Sequence, residues 1–161
     1  GRIAEPFAQD PDGGINMRLF DPRTAPALES GGGGLVSTAR DYARFLQCLA
    51  GGGALDGVRL LGPQTLRFAM ADHLGPIRAE ANDALLPPGH GFGLTMAVRT
   101  ADGEALMPGS VGTYHWSGIG GTSFFIDPAQ DTWGIFLTQA PNQREEYRLL
   151  FRTLAYAALT D

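Results

Sequence analysis

Near residue 90 the hydrophobic period of this sequence changes from that of a helix to that of a strand, and no other feature limits the fold as much. Upstream, Tyr42, Phe45, Leu46 and Leu49 fall at i, i+3, i+4 and i+7, one face of a helix, while Arg40, Arg44 and Gln47 lie mostly off it. Ser37 or Thr38 can cap this helix, Asp41 suits its positive N-terminal end, and Gly51-Gly52-Gly53 ends it. Pro63, followed by Leu66, Ala69 and Met70 on one stripe, predicts a second, shorter helix. Downstream, Phe92, Leu94, Met96 and Val98 alternate with Gly93, Thr95 and Ala97, which predicts a strand with one bulky and one tight face. Three more strands are expected at about 111–117, 122–126 and 132–139, the last two joined by a turn over 127–131. In the final strand Trp133, Ile135 and Leu137 point one way and Phe136 the other, so both faces of the sheet should be covered. Residues 144–159 supply a helix with Tyr147, Leu150, Phe151, Leu154 and Ala158 on one face, and with Arg144, Glu145, Arg148 and Arg152 turned mainly to solvent. Two helices, an antiparallel meander and a closing helix define an α+β class. Its parts are an irregular segment at 1–30 containing Pro11-Asp12-Gly13-Gly14, a helical part at 31–89 with a loop from 72, and strands with a C-terminal helix at 90–161.

A chain of 161 residues, 43% hydrophobic and 18% charged, is large enough for one domain with a sizeable core. Its net charge is −5, and all 12 basic residues are arginines, because lysine is absent. Scattered arginines outnumbered by 17 acids argue against a nucleic-acid partner and against an anionic membrane face. No apolar run approaches the roughly eighteen residues of a membrane span. The single cysteine, Cys48, allows no internal disulfide, and its apolar flanks mark a buried thiol. The compartment stays open, periplasmic or cytoplasmic.

Most common catalytic signatures are absent: the sequence has no HExxH, no CxxC, no P-loop and no serine in a GxSxG elbow. His73, His90 and His115 lack metal-ligand spacing, and the first two read as structural or surface residues, so neither a metal nor a cofactor is expected. The glycine runs at 31–34 and 51–53 read as loop and helix-end glycines. One stretch does look like a site, Tyr114-His115-Trp116-Ser117-Gly118-Ile119-Gly120-Gly121-Thr122-Ser123-Phe124-Phe125-Ile126-Asp127-Pro128. Acyl transfer needs backbone N–H donors aimed at the developing oxyanion, and a strand edge offers a row of them. A glycine on that edge lets substrate approach the backbone closely. The same glycines also suit a bulge or tight hairpin, with Trp116 in the core.

This stretch is similar to the third active-site motif of class C β-lactamases and the related β-lactamase-like esterases and penicillin-binding proteins. In that family the triplet is Lys-Thr-Gly, His-x-Gly or Trp-x-Gly. Here Trp116-Ser117-Gly118 fits the last form, with Gly121-Thr122-x-Phe124 following as in the family, whereas His115 as first member would require glycine where Ser117 stands. The segment Glu29 to Phe45 resembles the family's entry into a helix of its helical domain, Gly51-Gly52 through Leu55-Asp56-Gly57-Val58-Arg59-Leu60-Leu61 the segment after it, and Gly91-Phe92-Gly93-Leu94 the strand before the triplet. The resemblance covers the chain from about residue 25 onward and implies the C-terminal portion of a β-lactamase/transpeptidase-like fold. It further implies that the Ile119 N–H is an oxyanion donor, that Ser117 hydrogen-bonds the polar end of a substrate, that Trp116 walls the pocket, and that Gly118 admits the substrate.

The departures bear on mechanism. The family's nucleophile is the serine of Ser-x-x-Lys, assisted by the tyrosine of Tyr-x-Asn. Without lysine the first is impossible here, and Tyr42, Tyr114, Tyr147 and Tyr156 are each followed two places on by a residue other than asparagine. Both motifs are therefore expected upstream, in a missing N-terminal part of the same protein. The expected function is hydrolysis of a small-molecule ester or amide through an acyl-serine by the parent protein, with this chain alone inactive. Esterase is favoured over β-lactamase because Trp116 stands where a lysine would attract a β-lactam carboxylate, and a D-alanyl peptidase is a further possibility. The rival reading is a non-catalytic module that binds peptide or cell-wall fragments.

Overall fold

The computed structural model describes residues 3–5, 21–75, 77 and 86–160. The Pro11–Gly14 stretch lies outside the described residues, as do residues 78–85 of the expected 72–89 loop. Helix α1 (Ala39–Ala50) is capped by Thr38, whose hydroxyl accepts the Asp41 N–H at 3.1 Å, an arrangement worth about 0.5–2 kcal/mol. Gly51 closes its other end. A two-residue hairpin follows, β1 (Ala54–Leu55) and β2 (Val58–Arg59). Asp56 and Gly57, at φ +49° and +78°, make the mirror-image turn that suits such hairpins. Helix α2 (Pro63–Ala69) starts on its proline and buries Leu66.

The main sheet is a five-stranded antiparallel meander in chain order: β3 (His90–Phe92), β4 (Ala97–Arg99), β5 (Tyr114–Ser117), β6 (Ser123–Asp127) and β7 (Thr132–Phe136). Alternation assigns its two faces. Val98, Tyr114, Phe124 and Ile126 pack with Met96, Leu46 and Leu49 of α1 and Leu66 of α2 in the main core, flanked by Trp133 and Ile135. On the opposite face lies helix α3 (Arg144–Ala157), where Phe151 stacks on Phe136 at 5.3 Å and meets Phe125 at 6.0 Å. Both faces of β7 are thus covered, as its side-chain parity predicts.

Between β6 and β7 the chain turns through one 3-10 turn, Pro128–Gln130. Asp127, fully buried, organises this corner: one carboxylate oxygen accepts the Ala129 and Gln130 N–H groups at 3.1 and 3.3 Å. The other accepts the Ser110 N–H at 2.9 Å and the Tyr156 hydroxyl at 2.6 Å, tying the sheet to α3. Burial opposes ionisation, but the hydrogen bonds from Tyr156 and Ser110 outweigh it and hold the Asp127 carboxyl below its ordinary range.

Several expectations are corrected. The single strand read over 92–98 is a hairpin: Gly93 N–H donates to the Met96 carbonyl at 2.8 Å, and Leu94 N–H donates to the Ala69 carbonyl at the end of α2, also at 2.8 Å. Those two bonds reverse the chain, and Leu94 is left outside the core. The second correction is the orientation of α3. Leu150 and Leu154 are 50% and 60% exposed, whereas Arg152 is buried with its guanidinium 4.3 Å from the Phe125 ring centroid, and Arg148 is nearly buried. The sheet offers the Phe125 and Phe136 rings and the Asp127 carboxylate on this side, and a guanidinium can lie flat on a ring while its stem packs. The strands at 111–117 and 132–139 are also shorter than expected, at Tyr114–Ser117 and Thr132–Phe136. Cys48 is buried as its flanks suggested.

Candidate active site

Strand β4 covers the outer edge of β5 only at Tyr114 and His115, which face Val98 and Ala97. From Trp116 onward, β5 pairs with β6 alone, Trp116 against Phe124 and Ser117 against Ser123. The backbone edge that follows is therefore free of sheet partners among the described residues.

Consecutive side chains on this strand point to opposite faces. His115 turns toward the α3 layer, edge-on to His90 with ring centroids 5.0 Å apart. Burial, with added repulsion from Arg152 and His90, pushes its imidazole down to about 3, so it is neutral, and its Nε2 has no partner among the described residues. Trp116 turns the other way, meets Phe92 edge-on at 5.1 Å and remains 37% exposed, so it is not a core residue. Ser117 is half-buried on the His115 side, with no hydrogen-bond partner for its hydroxyl among the described residues. Trp116 and Ser117 thus flank the edge from its two faces. His73 and His90 have structural contacts, the first with the Phe68 carbonyl at 2.7 Å and the second with that of Pro88 at 3.0 Å.

Beyond Ser117 the strand runs into a turn. Gly118 N–H donates to the Thr122 carbonyl at 2.8 Å, and Gly121 N–H returns to the Gly118 carbonyl at 3.0 Å. Ile119 and Gly120 occupy the centre with negative φ, which makes this a type I turn. Gly121, at φ +112°, leaves it in a conformation that side chains resist. Gly118 sits tightly against its neighbour: a Cβ there would lie 2.5 Å from Thr122 Oγ1, so that hydroxyl would have to shift.

The Gly118–Ile119 peptide is trans, so its N–H points opposite to its carbonyl. The carbonyl faces into the turn, and the Ile119 N–H therefore faces out along the open edge. No acceptor among the described residues takes it, and the Ile119 side chain is 57% exposed. The Gly118 carbonyl receives a second donor, Arg148 Nη2 from α3. Sequence reasoning missed this residue by assigning it to solvent; its side chain is 13% exposed and also bonds Glu145 at 2.8 Å. Arg148, Phe151 and Arg152 do fall at helical spacing, but charges at two of the three positions hide a buried stripe from any reading based on apolar content.

A model of the family described as Beta-lactamase matches residues 3–158. Protein Rv1367c of Mycobacterium tuberculosis (strain ATCC 25618 / H37Rv) is 38% identical over 121 residues, which cover 72% of this chain and 30% of that protein. Esterase EstB of Burkholderia gladioli is 34% identical over 113 residues, 70% of this chain and 25% of the esterase. Among solved structures, EstCE1, a hydrolase with promiscuous acyltransferase activity, superposes with a TM-score of 0.69 at 31% identity, covering 83% of this chain and 33% of that one. The chain thus spans about a third or less of each relative's length. With the motifs in family order, the matching fold and a family model that spans nearly all of it, this chain belongs to the beta-lactamase family.

Proposed function

We propose that this chain forms one wall of the active site of a serine hydrolase that cleaves an ester or amide through an acyl-serine, with the nucleophile supplied by a part of the protein outside these 161 residues. The observation that carries the reading is the open edge after β5, where the Ile119 N–H points outward, without an acceptor among the described residues, beside a partly exposed Trp116. A preorganised donor of this kind stabilises a tetrahedral oxyanion without reorganisation during the reaction. Trp116 lines the pocket, Ser117 bonds the polar end of the substrate, and Gly118 keeps the backbone accessible. The substrate class is an ester in preference to a β-lactam, since the first triplet position carries an indole and no cation. The esterase and hydrolase relatives support the same choice.

The test uses the full-length protein. It should hydrolyse p-nitrophenyl butyrate faster than a chromogenic cephalosporin, and an activated phosphonate should trap an adduct that mass spectrometry maps to a serine outside residues 1–161, while the 161-residue chain alone turns over neither substrate. An adduct within these residues, or turnover abolished by mutating a nucleophilic side chain here, would overturn the proposal.

A further inference from the structure

The Gly118 carbonyl and the Ile119 N–H belong to one peptide unit, and they face opposite ways. Whatever grips the carbonyl therefore sets the direction of the N–H. Two donors grip it, from two different elements: Gly121 N–H at 3.0 Å within the turn, and Arg148 Nη2 from α3. The turn alone leaves this peptide at the end of a strand with no sheet partner on its outer side among the described residues, so one backbone bond is all that the turn itself contributes to fixing its plane. A guanidinium held on the carbonyl adds a second restraint on that plane. It also draws electron density toward the oxygen, which makes the N–H of the same amide a stronger donor.

Arg148 is itself held in place. Its Nη1 bonds Glu145 at 2.8 Å, Glu145 bonds Arg144 Nε at 3.0 Å, and Arg144 Nη1 bonds the Pro141 carbonyl at 2.7 Å. The first turn of α3 is thereby braced against the segment that enters it. The arrangement carries a cost, because the Arg148 Nε is buried without a partner among the described residues. A methionine of similar reach would fill the same space without that cost, so packing alone does not call for arginine here.

We infer that Arg148 is a positioning residue for the oxyanion donor, orienting and polarising the Gly118–Ile119 peptide from behind. This rests on the reading of the Ile119 N–H given above, and the experiment separates the two. In the full-length protein, Arg148→Met, Arg148→Lys and Ile119→Pro are compared by hydrolysis of p-nitrophenyl butyrate and by inhibition with a trifluoromethyl ketone, whose hemiketal oxyanion occupies the same position as that of the intermediate.

Arg148→Met should lower kcat about tenfold with KM within about twofold, as expected when a donor is retained but no longer aimed. The trifluoromethyl ketone should lose affinity by a similar factor, and added guanidinium ion should restore part of both. Arg148→Lys, which keeps a cation near the carbonyl, should fall between the wild type and Arg148→Met, and it serves as the test if the methionine variant does not fold. Unchanged kcat and inhibitor affinity in the folded Arg148 variants, with Ile119→Pro impaired, would overturn the positioning role and leave the oxyanion reading intact. A lowered melting temperature with kcat preserved would assign Arg148 to stability alone and overturn the role likewise. Normal kcat in Ile119→Pro would remove the oxyanion reading and this inference with it.

Discussion

Replacing Ile119 by proline deletes one N–H and little else, which makes it the sharpest probe of the edge after β5. Position 119 is the second residue of a type I turn, where proline is favoured because its ring presets the required φ. The preceding residue, Gly118, leaves a strand, and the extended conformation that a following proline demands is compatible with that. The lost N–H makes no hydrogen bond within the described residues, and the lost side chain is more than half exposed, so stability should stay within about 1 kcal/mol of wild type. Against this, removal of one oxyanion donor costs about 10² to 10³ in kcat, or about 2.7–4 kcal/mol. The full-length protein carrying Ile119→Pro should therefore melt normally and hydrolyse p-nitrophenyl butyrate at about a hundredth of the wild-type kcat or less. Ile119→Ala, which keeps the N–H, should remain close to wild type. If Ile119→Pro melts normally and retains its kcat, the N–H is not an oxyanion donor and the assignment of this edge fails.

Gly118→Val should impair both folding and activity, because its Cβ would meet Thr122 Oγ1 at 2.5 Å. Adding Thr122→Ala should recover the melting temperature but not kcat/KM, and recovery of both would show that the glycine serves packing and not substrate approach. Ser117→Ala should raise the barrier by about 1–2 kcal/mol, the scale of one substrate hydrogen bond, with no change in melting; kinetics equal to wild type would remove Ser117 from the site. His115 gives a pH signature. Its folded value of about 3 lies below the unfolded value of about 6.5, so below pH 6.5 the unfolded chain takes a proton that the folded chain refuses until about pH 3. Stability should therefore fall as pH drops through that window, at up to about 1.4 kcal/mol per unit from this group. Melts of the full-length protein and of His115→Gln across pH 7 to 4 should show a shallower acid slope in the variant, and identical slopes would refute a neutral buried imidazole.

The sequence by itself determined the elements whose signals are local. The Thr38 cap and the Tyr42–Leu49 spacing specify α1, Pro63 starts α2, and the parity of Trp133, Ile135 and Phe136 requires cover on both faces of β7. The Asp56-Gly57 hairpin was also legible in principle, since only two successive positive φ values are needed and the two residues are those that supply them. The order of glycine-rich segment, helix, strand and Trp-x-Gly triplet carried the family. What only the tertiary structure decided depends on neighbours distant in sequence. The run at 92–98 alternates as a strand does, yet the Ala69 carbonyl captures Leu94 N–H and folds it into a hairpin. Residues 144–159 carry two competing stripes, and the aromatic face of the sheet selects the one with Arg148, Phe151 and Arg152 over the one with Leu150 and Leu154. The openness of the Ile119 N–H follows from β4 ending its pairing at His115, and its direction is set in part by Arg148, which reaches the Gly118 carbonyl across thirty residues. Backbone hydrogen-bonding groups are the same at every non-proline residue, so their availability at any one position is set by which other segment arrives there, and side-chain identity does not encode it.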